Sequence, residues 1–367
     1  MNTSRILRLI SLIVTGIGVC QILPASDIKL GELELIYTED EIPIRYDGSL
    51  STLMIDGEMH FFHSFGCRLE TTMNRRSRHS WHKGTPMDPL QHHVSSTTDK
   101  EFWDYNGFYE DVDEKGIWIL GMYACPNGDL LGITHAELNM KNEAGRIDRK
   151  NQRFAIGLGY STDGGASWTY CGEIVRPADD RQNIGGGAFV IHEGYLQVYY
   201  NDVIPAKRGL PRKRIQCVAR AKLDAVLEAA ARSKVTTWHK YSDGQWNIPG
   251  LSGSPGEDIV QAVPGEDDLH SDAAFCTALE RYLLTVQGRG KLHLLSSSDG
   301  VDWVHETQVD QVDGKIVPYS SFVDWDGPSI DCHTVDGDFY LYFPRKASDH
   351  NIDYLYRRKV TIEKIQI

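Results

Sequence analysis

Short runs of apolar residues, or of alternating apolar and polar residues, recur along most of the chain, and turn residues separate them. Residues 32–37 alternate cleanly, as expected of a strand with one buried face. Residues 116–124 and 130–137 are more apolar, and the sequence Pro-Asn-Gly at 126–128, which favours a tight turn, joins them. This pattern predicts a protein built almost entirely from β-strands and hairpins.

One kind of turn occurs three times in the sequence. Residues 160–168 read Tyr-Ser-Thr-Asp-Gly-Gly-Ala-Ser-Trp, residues 297–303 read Ser-Ser-Asp-Gly-Val-Asp-Trp, and residues 241–246 repeat the pattern more loosely. Aspartate accepts backbone N–H groups in such a turn, and glycine adopts the positive φ that other residues resist. The recurrence indicates a hairpin-based unit that is used several times.

The chain divides into five such units, each with four successive antiparallel strands, which is the composition of a propeller blade. The second unit is the most complete, and its strands are predicted at 116–124, 130–137, 153–160 and 168–175. The third contains a helix at 223–232, where apolar residues have helical spacing. The fifth is predicted to contain strands at 328–334, 338–343, 354–358 and 360–364. We therefore predict an all-β fold, a five-bladed β-propeller with one short helix in the third blade.

Two segments fall outside this four-strand pattern. The early strand at 32–37 is expected to pair with a neighbouring blade and close the ring, which leaves no open sheet edge. Residues 67–100 are rich in arginine and histidine and have little periodicity, so we interpret them as an inserted loop on one face. Residues 26–367 contain no linker and are predicted to form a single domain.

The N-terminus has the order of a secretory signal. Basic residues precede an apolar run at 9–20, and Leu-Pro-Ala follows at 23–25. We therefore predict a signal peptide over residues 1–25 and a secreted or periplasmic protein. A lipid anchor at Cys20 is the alternative, although the valine before it stands where a lipobox has a small residue. No other stretch is long and apolar enough for an integral membrane segment.

Composition and charge narrow the range of partners. The chain is 41% hydrophobic and 24% charged, which is ordinary for a globular protein. Its formal net charge of −13 argues against nucleic acid, whose phosphates require a basic surface. The cysteines after Cys20 have no C-x-x-C spacing, and most lie inside apolar runs, so buried thiols are favoured and disulfides are the alternative.

The propeller geometry predicts where the chemistry should lie. The first strand of each blade lines the central channel, so polar residues at its start and at the end of the second strand face one mouth. The candidate residues selected in this way are Asp47, His135, Glu137, Asp202, His270, Asp272, Asp326 and Arg345. Trp81 and Trp103 lie near the loops and could stack on sugar rings as substrate-binding residues.

Several carboxylates at one mouth suit the cleavage of a glycosidic bond. One carboxylic acid must protonate the leaving oxygen, while a second carboxylate activates water or attacks the sugar carbon. Crowding separates the pKa values of such groups and supplies a neutral acid and an ionised base. Turn formation is the alternative for aspartates that precede glycine, such as Asp47 and Asp326, and a salt bridge is the alternative for Glu137. We expect neither a metal nor another cofactor, because the histidines between residues 79 and 93 match no tight ligand spacing.

Two features resemble known proteins. Residues 161–168 resemble the Asp-box of sialidases and related propellers, and the five-unit layout resembles the five-bladed glycoside hydrolases of the arabinanase, levansucrase and invertase type. This resemblance implies a secreted glycosidase with a carbohydrate substrate of plant or algal origin. By position, it implies that Asp47 is the base or nucleophile and that Glu137 is the acid, one blade earlier than in arabinanases. Asp272 or Asp202 would tune that acid.

Two alternatives remain open at this point. A secreted propeller that binds glycan or protein without catalysis could use the same aspartate, tryptophan and arginine side chains. A sialidase is more distant, because the sequence has no Arg-Ile-Pro motif and five units rather than six.

Overall fold

The structure is a computed structural model, and its described part is a ring of sheets. It describes residues 26–38, 41, 45–66, 77–98, 102–146, 148, 152–179, 182–204, 213–261, 263, 272–288, 290–312, 319–325, 333–346 and 353–364. These residues form five sheets built mainly from consecutive antiparallel strands. The sheets are the blades of a five-bladed β-propeller, which confirms the predicted fold class.

The inner edge of the first sheet is made by two short strands. Strand β1 (Ser26–Tyr37) comes first in the chain but belongs to the last sheet. The first sheet contains β2 (Arg45–Tyr46), β3 (Ser51–Ile55), β4 (Glu58–Gly66), β5 (Ser77–Thr85) and β6 (Asp88–Thr98). Both β2 and β3 pair with β4, so residues 47–50 interrupt the inner edge.

The predicted inserted loop at 67–100 is wrong, because residues 77–98 contain β5 and β6. Strand β5 buries four consecutive side chains, from His79 to His82, so polar residues are buried on both of its faces. Such a strand has no alternating apolar pattern that sequence analysis could detect.

The second sheet confirms the four strands that the sequence predicted for this unit. It contains β7 (Trp103–Asp104), β8 (Glu114–Ala124), β9 (Leu130–Asn139), β10 (Arg153–Ser161) and β11 (Trp168–Val175). In the turn between β10 and β11, the Asp163 carboxylate accepts hydrogen bonds from the Ser167 N–H (3.0 Å) and the Ser161 hydroxyl (2.8 Å). Gly164, at φ 73°, supplies the left-handed conformation that this turn requires.

The third sheet carries the predicted helix. It contains β12 (Phe189–His192), β13 (Tyr195–Ile204), β14 (Lys213–Lys222), β15 (His239–Ser242) and β16 (Gln245–Pro249), with α1 (Leu223–Ala230) directly after β14. The turn at Asp243 joins β15 to β16, whereas the turns at Asp163 and Asp299 join the third and fourth strands of their blades. No helix in the described ranges is long and apolar enough to cross a membrane.

The last part of the chain forms the fourth and fifth sheets. Its strands are β17 (Ala273–Cys276), β18 (Arg281–Gly288), β19 (Lys291–Ser297), β20 (Val304–Gln311), β21 (Ser321–Asp324), β22 (Thr334–Val335), β23 (Asp338–Lys346) and β24 (Asp353–Lys364). The inner strand of the fifth blade is β21, so the prediction that residues 328–334 form this inner strand is wrong. Strand β22 pairs with β17 of the fourth blade, and residues 326–332 lie outside the described part. The two strands predicted within 354–364 are the single strand β24.

The N-terminal strand closes the ring. Strand β1 pairs antiparallel with β24, from Ser26 opposite Lys364 to Tyr37 opposite Leu355. The guanidinium of Arg357 bonds the Glu34 carboxylate across this pair at 2.5 Å. The first strand of the chain is thereby the outer strand of the last blade, and the predicted ring closure is confirmed.

The hydrophobic core lies between neighbouring sheets. Phe62 of the first sheet and Trp168 of the second belong to one buried cluster, and similar clusters lie between the other sheets. The inner strands of the second and third blades approach so closely that a Cβ on Gly121 would lie 2.1 Å from the Gly187 carbonyl oxygen. Glycine is required at this contact because any side chain would push the two blades apart.

The cysteines that the structure describes are buried thiols, as the sequence favoured. The buried free thiols are Cys125, Cys171, Cys217 and Cys276. Cys67, Cys332 and the predicted signal peptide at 1–25 lie outside the described residues, so the export prediction stays a prediction.

Candidate functional site

Side-chain hydrogen bonds fasten neighbouring blades together at the end of the ring where the inner strands begin. In each bond, a polar side chain on one blade meets a backbone group of the next, which satisfies a buried peptide group. These bonds, of 2.7–2.9 Å, join Ser64 to Ile119, Ser321 to Leu50, and Asp272 to Phe322. The second strand of each blade ends here too, because it is antiparallel to the inner strand. We call this end of the ring, around Asp47 and Asp272, the mouth.

Asp47 lies at the mouth directly after β2. Its N–H donates to the Ser64 carbonyl (3.1 Å), which fixes its backbone against the end of β4. Its Oδ1 accepts a hydrogen bond from the Tyr319 hydroxyl (3.1 Å), which comes from the fifth blade. Because the side chain is only half-buried, the carboxylate is held in place and is still within reach of a ligand.

Sequence analysis did not identify Tyr319 as a site residue. It stands two positions before β21, which is the inner strand of the fifth blade. The sequence predicts the inner strand at 328–334 instead, which leaves Tyr319 outside the predicted mouth. A correct assignment of that strand would have placed Tyr319 at the mouth.

Asp272 is fully buried between the fourth and fifth blades. Its Oδ1 accepts the Ala273 N–H and its Oδ2 accepts the Phe322 N–H, each at 2.9 Å. Burial raises the pKa of the Asp272 carboxyl to about 7, against the two hydrogen bonds, which favour the ionised form. This carboxyl therefore holds two inner strands in register, and it takes up a proton near neutral pH.

Glu137 and His135 lie on the face of β9 that points toward the third blade. Glu137 is half-buried and stands opposite Phe154 on β10. The His135 ring is buried near Phe154 and Trp118, with ring centroids 6.2 and 6.0 Å away. Burial lowers the pKa of His135 to about 4, so the imidazole is neutral at pH 7.

Trp118 is a second residue that sequence analysis missed. A Cβ on Gly116 would lie 2.4 Å from the Trp118 ring, so the indole covers the backbone directly opposite Glu137. Its buried N–H has no acceptor among the described residues. A tryptophan within an inner strand was the available signal, because inner strands line the channel.

Asp202 faces the same space from the third blade. It continues the face of β13 on which Val198 and Tyr200 pack against the second sheet. Its Oδ1 accepts the Val203 and Ala178 N–H groups at 2.7 and 3.2 Å. Burial raises the pKa of this carboxyl, and the positive charge of Lys240 opposes that rise. The structure therefore places Glu137, His135 and Asp202 on the facing sides of the second and third sheets.

Arg345 lies at the mouth end of β23 but is engaged in an ion pair. Its guanidinium donates three hydrogen bonds to the carboxylate of Asp310, one at 2.9 Å and two at 2.5 Å, and lies 4.7 Å from the centre of the Tyr356 ring. Asp310 is on the fourth blade, so this pair links two blades. Arg345 accordingly has a structural partner where a substrate contact was predicted.

The two tryptophans predicted to stack on sugar are in the core between the first and second sheets. Trp81 is 8% exposed and donates to the Gly165 carbonyl, and Trp103 is 5% exposed and donates to the Ile117 carbonyl. In this structure neither ring presents an open face for a sugar, because both faces are covered by neighbouring side chains.

Two predicted site residues, His270 and Asp326, lie outside the described residues. Within the described ranges, no group of three or more histidine, cysteine, aspartate or glutamate side chains is arranged to hold a metal ion.

The chain is similar to known proteins in its fold. No protein-family model matches the sequence, and no curated protein matches it. Among solved structures, the chain is similar to Zg3597, a family 117 glycoside hydrolase from the marine bacterium Zobellia galactanivorans. The TM-score is 0.50 at 10% identity, over 93% of this chain and 92% of that one.

Two arabinofuranosidases are also similar. The catalytic domain of the GH62 α-L-arabinofuranosidase from Coprinopsis cinerea has a TM-score of 0.49 at 12% identity, over 92% of this chain and 98% of that one. An α-L-arabinofuranosidase from Lactobacillus brevis has a TM-score of 0.45 at 13% identity, over 86% and 90%. The similarity to Zg3597 is one of fold, and the five-bladed propeller of this chain is a fold found in glycoside hydrolases, as the sequence resemblance implied.

Proposed function

We propose that this protein is a secreted glycoside hydrolase that cleaves a plant or algal polysaccharide or oligosaccharide at the mouth of the propeller. The observation that carries the proposal is Asp47 at the inner edge of the first blade. Its backbone N–H donates to the Ser64 carbonyl, and its half-buried carboxylate accepts a hydrogen bond from the Tyr319 hydroxyl. The shared propeller fold supports it, and the signal-like sequence at 1–25 supports export.

The proposed chemistry divides the work between two carboxyl groups. Glu137 donates a proton to the leaving oxygen as the glycosidic C–O bond breaks. Asp47 either takes a proton from the attacking water or forms the new bond to the sugar carbon itself. Asp272 and Asp202 are the residues proposed to tune the acid, and burial raises the pKa of both, to about 7 for Asp272.

A second candidate is a propeller that binds glycan without cleaving it. Both oxygens of Asp272 accept backbone N–H groups, and Arg345 is paired with Asp310. These side chains therefore stabilise the blades whether or not catalysis occurs at the mouth.

A polysaccharide screen separates the two candidates. The protein is incubated with a panel of plant and algal polysaccharides, and released reducing sugar is measured beside a glycan-binding array. Glu137→Gln should lower the rate on any hydrolysed substrate by about 10²- to 10⁴-fold, because the amide cannot donate the proton. Binding without turnover across the panel would favour the binding protein.

The matched control for this experiment is Asp302→Asn. Asp302 is exposed in a turn between third and fourth strands, at the end of the blade opposite the mouth. This variant should keep the wild-type rate. Unchanged hydrolysis by Glu137→Gln, with its fold intact by circular dichroism, would remove Glu137 from the mechanism.

A further inference from the structure

Tyr319 has a backbone conformation that sets it apart. Its φ is 89°, whereas the other non-glycine residues with positive φ in the described ranges have φ of 48–61°, within the ordinary left-handed region. For a bulky side chain such a value is an outlier, and outliers of this kind concentrate at functional sites.

Two hydrogen bonds fix the residues that follow Tyr319. The Ser320 hydroxyl bonds the Thr285 hydroxyl of the fourth blade at 2.6 Å. The Ser321 hydroxyl accepts the Leu50 N–H of the first blade at 2.7 Å. The chain directly after Tyr319 is therefore tied to the neighbouring blades on both sides.

The Tyr319 side chain reaches the first blade. The Tyr319 hydroxyl crosses to the first blade and donates to Oδ1 of Asp47 at 3.1 Å, while its ring packs against the cluster between the first and fifth blades. A donor to a carboxylate favours the ionised form and restricts rotation of the group.

We propose that Tyr319 is a positioning residue that orients the Asp47 carboxylate and keeps it ionised. Its catalytic meaning rests on the proposed function, since Asp47 is the proposed base or nucleophile. A purely structural Tyr319 would instead act through its ring alone, and loss of the hydroxyl would then leave Asp47 unchanged.

The direct test is the pKa of Asp47 in Tyr319→Phe. This variant keeps the ring and loses only the hydroxyl. Protein labelled with ¹³C at the aspartate carboxyl carbon is titrated by NMR, and the Asp47 signal is assigned by its loss in Asp47→Asn. We expect the pKa of Asp47 to rise by about one unit in Tyr319→Phe. An unchanged Asp47 titration would overturn the proposal, and this readout needs no substrate.

The matched control is Tyr340→Phe. Tyr340 is buried in the same cluster between the first and fifth blades, but its hydroxyl lies against Met87 rather than Asp47. This variant should leave the Asp47 titration as in the wild type. An equal shift in both variants would show that the effect is general loosening of the interface, which would also overturn the proposal.

Kinetics on a polysaccharide from the screen supply a second readout. Tyr319→Phe should lower kcat about 10-fold or more, leave KM within about threefold, and move the acidic limb of the rate profile to higher pH. If Asp47→Asn is inactive while Tyr319→Phe keeps the wild-type rate and profile, the positioning role fails and the proposed function stands. If no substrate is hydrolysed, the proposed function fails, and the titration alone decides the role of Tyr319.

Discussion

Buried titratable side chains determine how the stability of this protein depends on pH. Burial lowers the pKa of His135 to about 4, below its value of about 6.5 in an unfolded chain. The unfolded state therefore binds more protons between these values. The contribution of His135 to stability is complete above pH of about 6.5 and decreases as the pH falls toward 4.

The contribution of Asp272 to stability changes with pH in the opposite direction. Because burial raises its pKa to about 7, its contribution decreases as the pH rises from about 4 to 7.

Replacing His135 with phenylalanine should remove its share of the acid sensitivity. The phenyl ring keeps the contacts with Phe154 and Trp118 and cannot be protonated. Between about pH 6.5 and pH 4.5 the wild type should lose about 2 kcal/mol more unfolding free energy than His135→Phe. Urea denaturation at the two pH values measures both losses. Equal losses would contradict this, and the exposed His92→Phe is the control that should behave as the wild type.

Sequence could predict which end of its blade a residue occupies, but not what its side chain touches. Asp272 stands before an inner strand, and that position follows from strand order. Its two N–H partners come from Ala273 and from Phe322, some fifty residues later, and no local pattern reveals the second. The positive φ of Tyr319 likewise has no signature in one sequence, because the residue there is not the glycine that such a φ favours.

At the element scale, a strand from the N-terminal end of the chain completes the last blade of the ring. Strand β1 covers the outer edge of β24 and contributes the partly buried side chains Ile28, Leu30 and Leu33 to the last blade. An uncovered outer edge would present unpaired N–H and C=O groups to other molecules.

Removal of β1 should therefore weaken the fold and promote association. Protein that begins at residue 39 should lose about 3–5 kcal/mol of unfolding free energy relative to protein that begins at Ser26. Urea denaturation measures the loss, and size-exclusion chromatography should show oligomers. A truncated protein that stays monomeric, with unfolding free energy within about 1 kcal/mol of the longer one, would show that β1 is not needed for closure.

Elements could be predicted wherever a strand is rich in apolar residues, as in β8 to β11. The prediction failed at β5, where histidine and serine are buried beside tryptophan and the pattern looks polar. It failed again at β21, a short inner strand that is fixed by hydrogen bonds to its neighbours rather than by apolar periodicity.

At the scale of the whole molecule, the propeller brings carboxyl groups from distant parts of the chain to one end of the ring. Asp47, Glu137, Asp202 and Asp272 belong to four different blades. Their surroundings differ: Asp202 and Asp272 are buried and bonded to backbone N–H groups, whereas Asp47 and Glu137 are half-buried. Of these four carboxyl groups, Asp47 and Glu137 are the more exposed, and the proposed hydrolysis uses this pair.

The rate of Asp47→Asn tests this account most directly. The amide is nearly the same size as the carboxylate and can still accept the Tyr319 hydrogen bond, but it can act neither as base nor as nucleophile. On a polysaccharide that the wild type hydrolyses, release of reducing sugar by a folded Asp47→Asn should be at least about 10³-fold slower. A rate within about threefold of the wild type would contradict a hydrolytic centre built on Asp47.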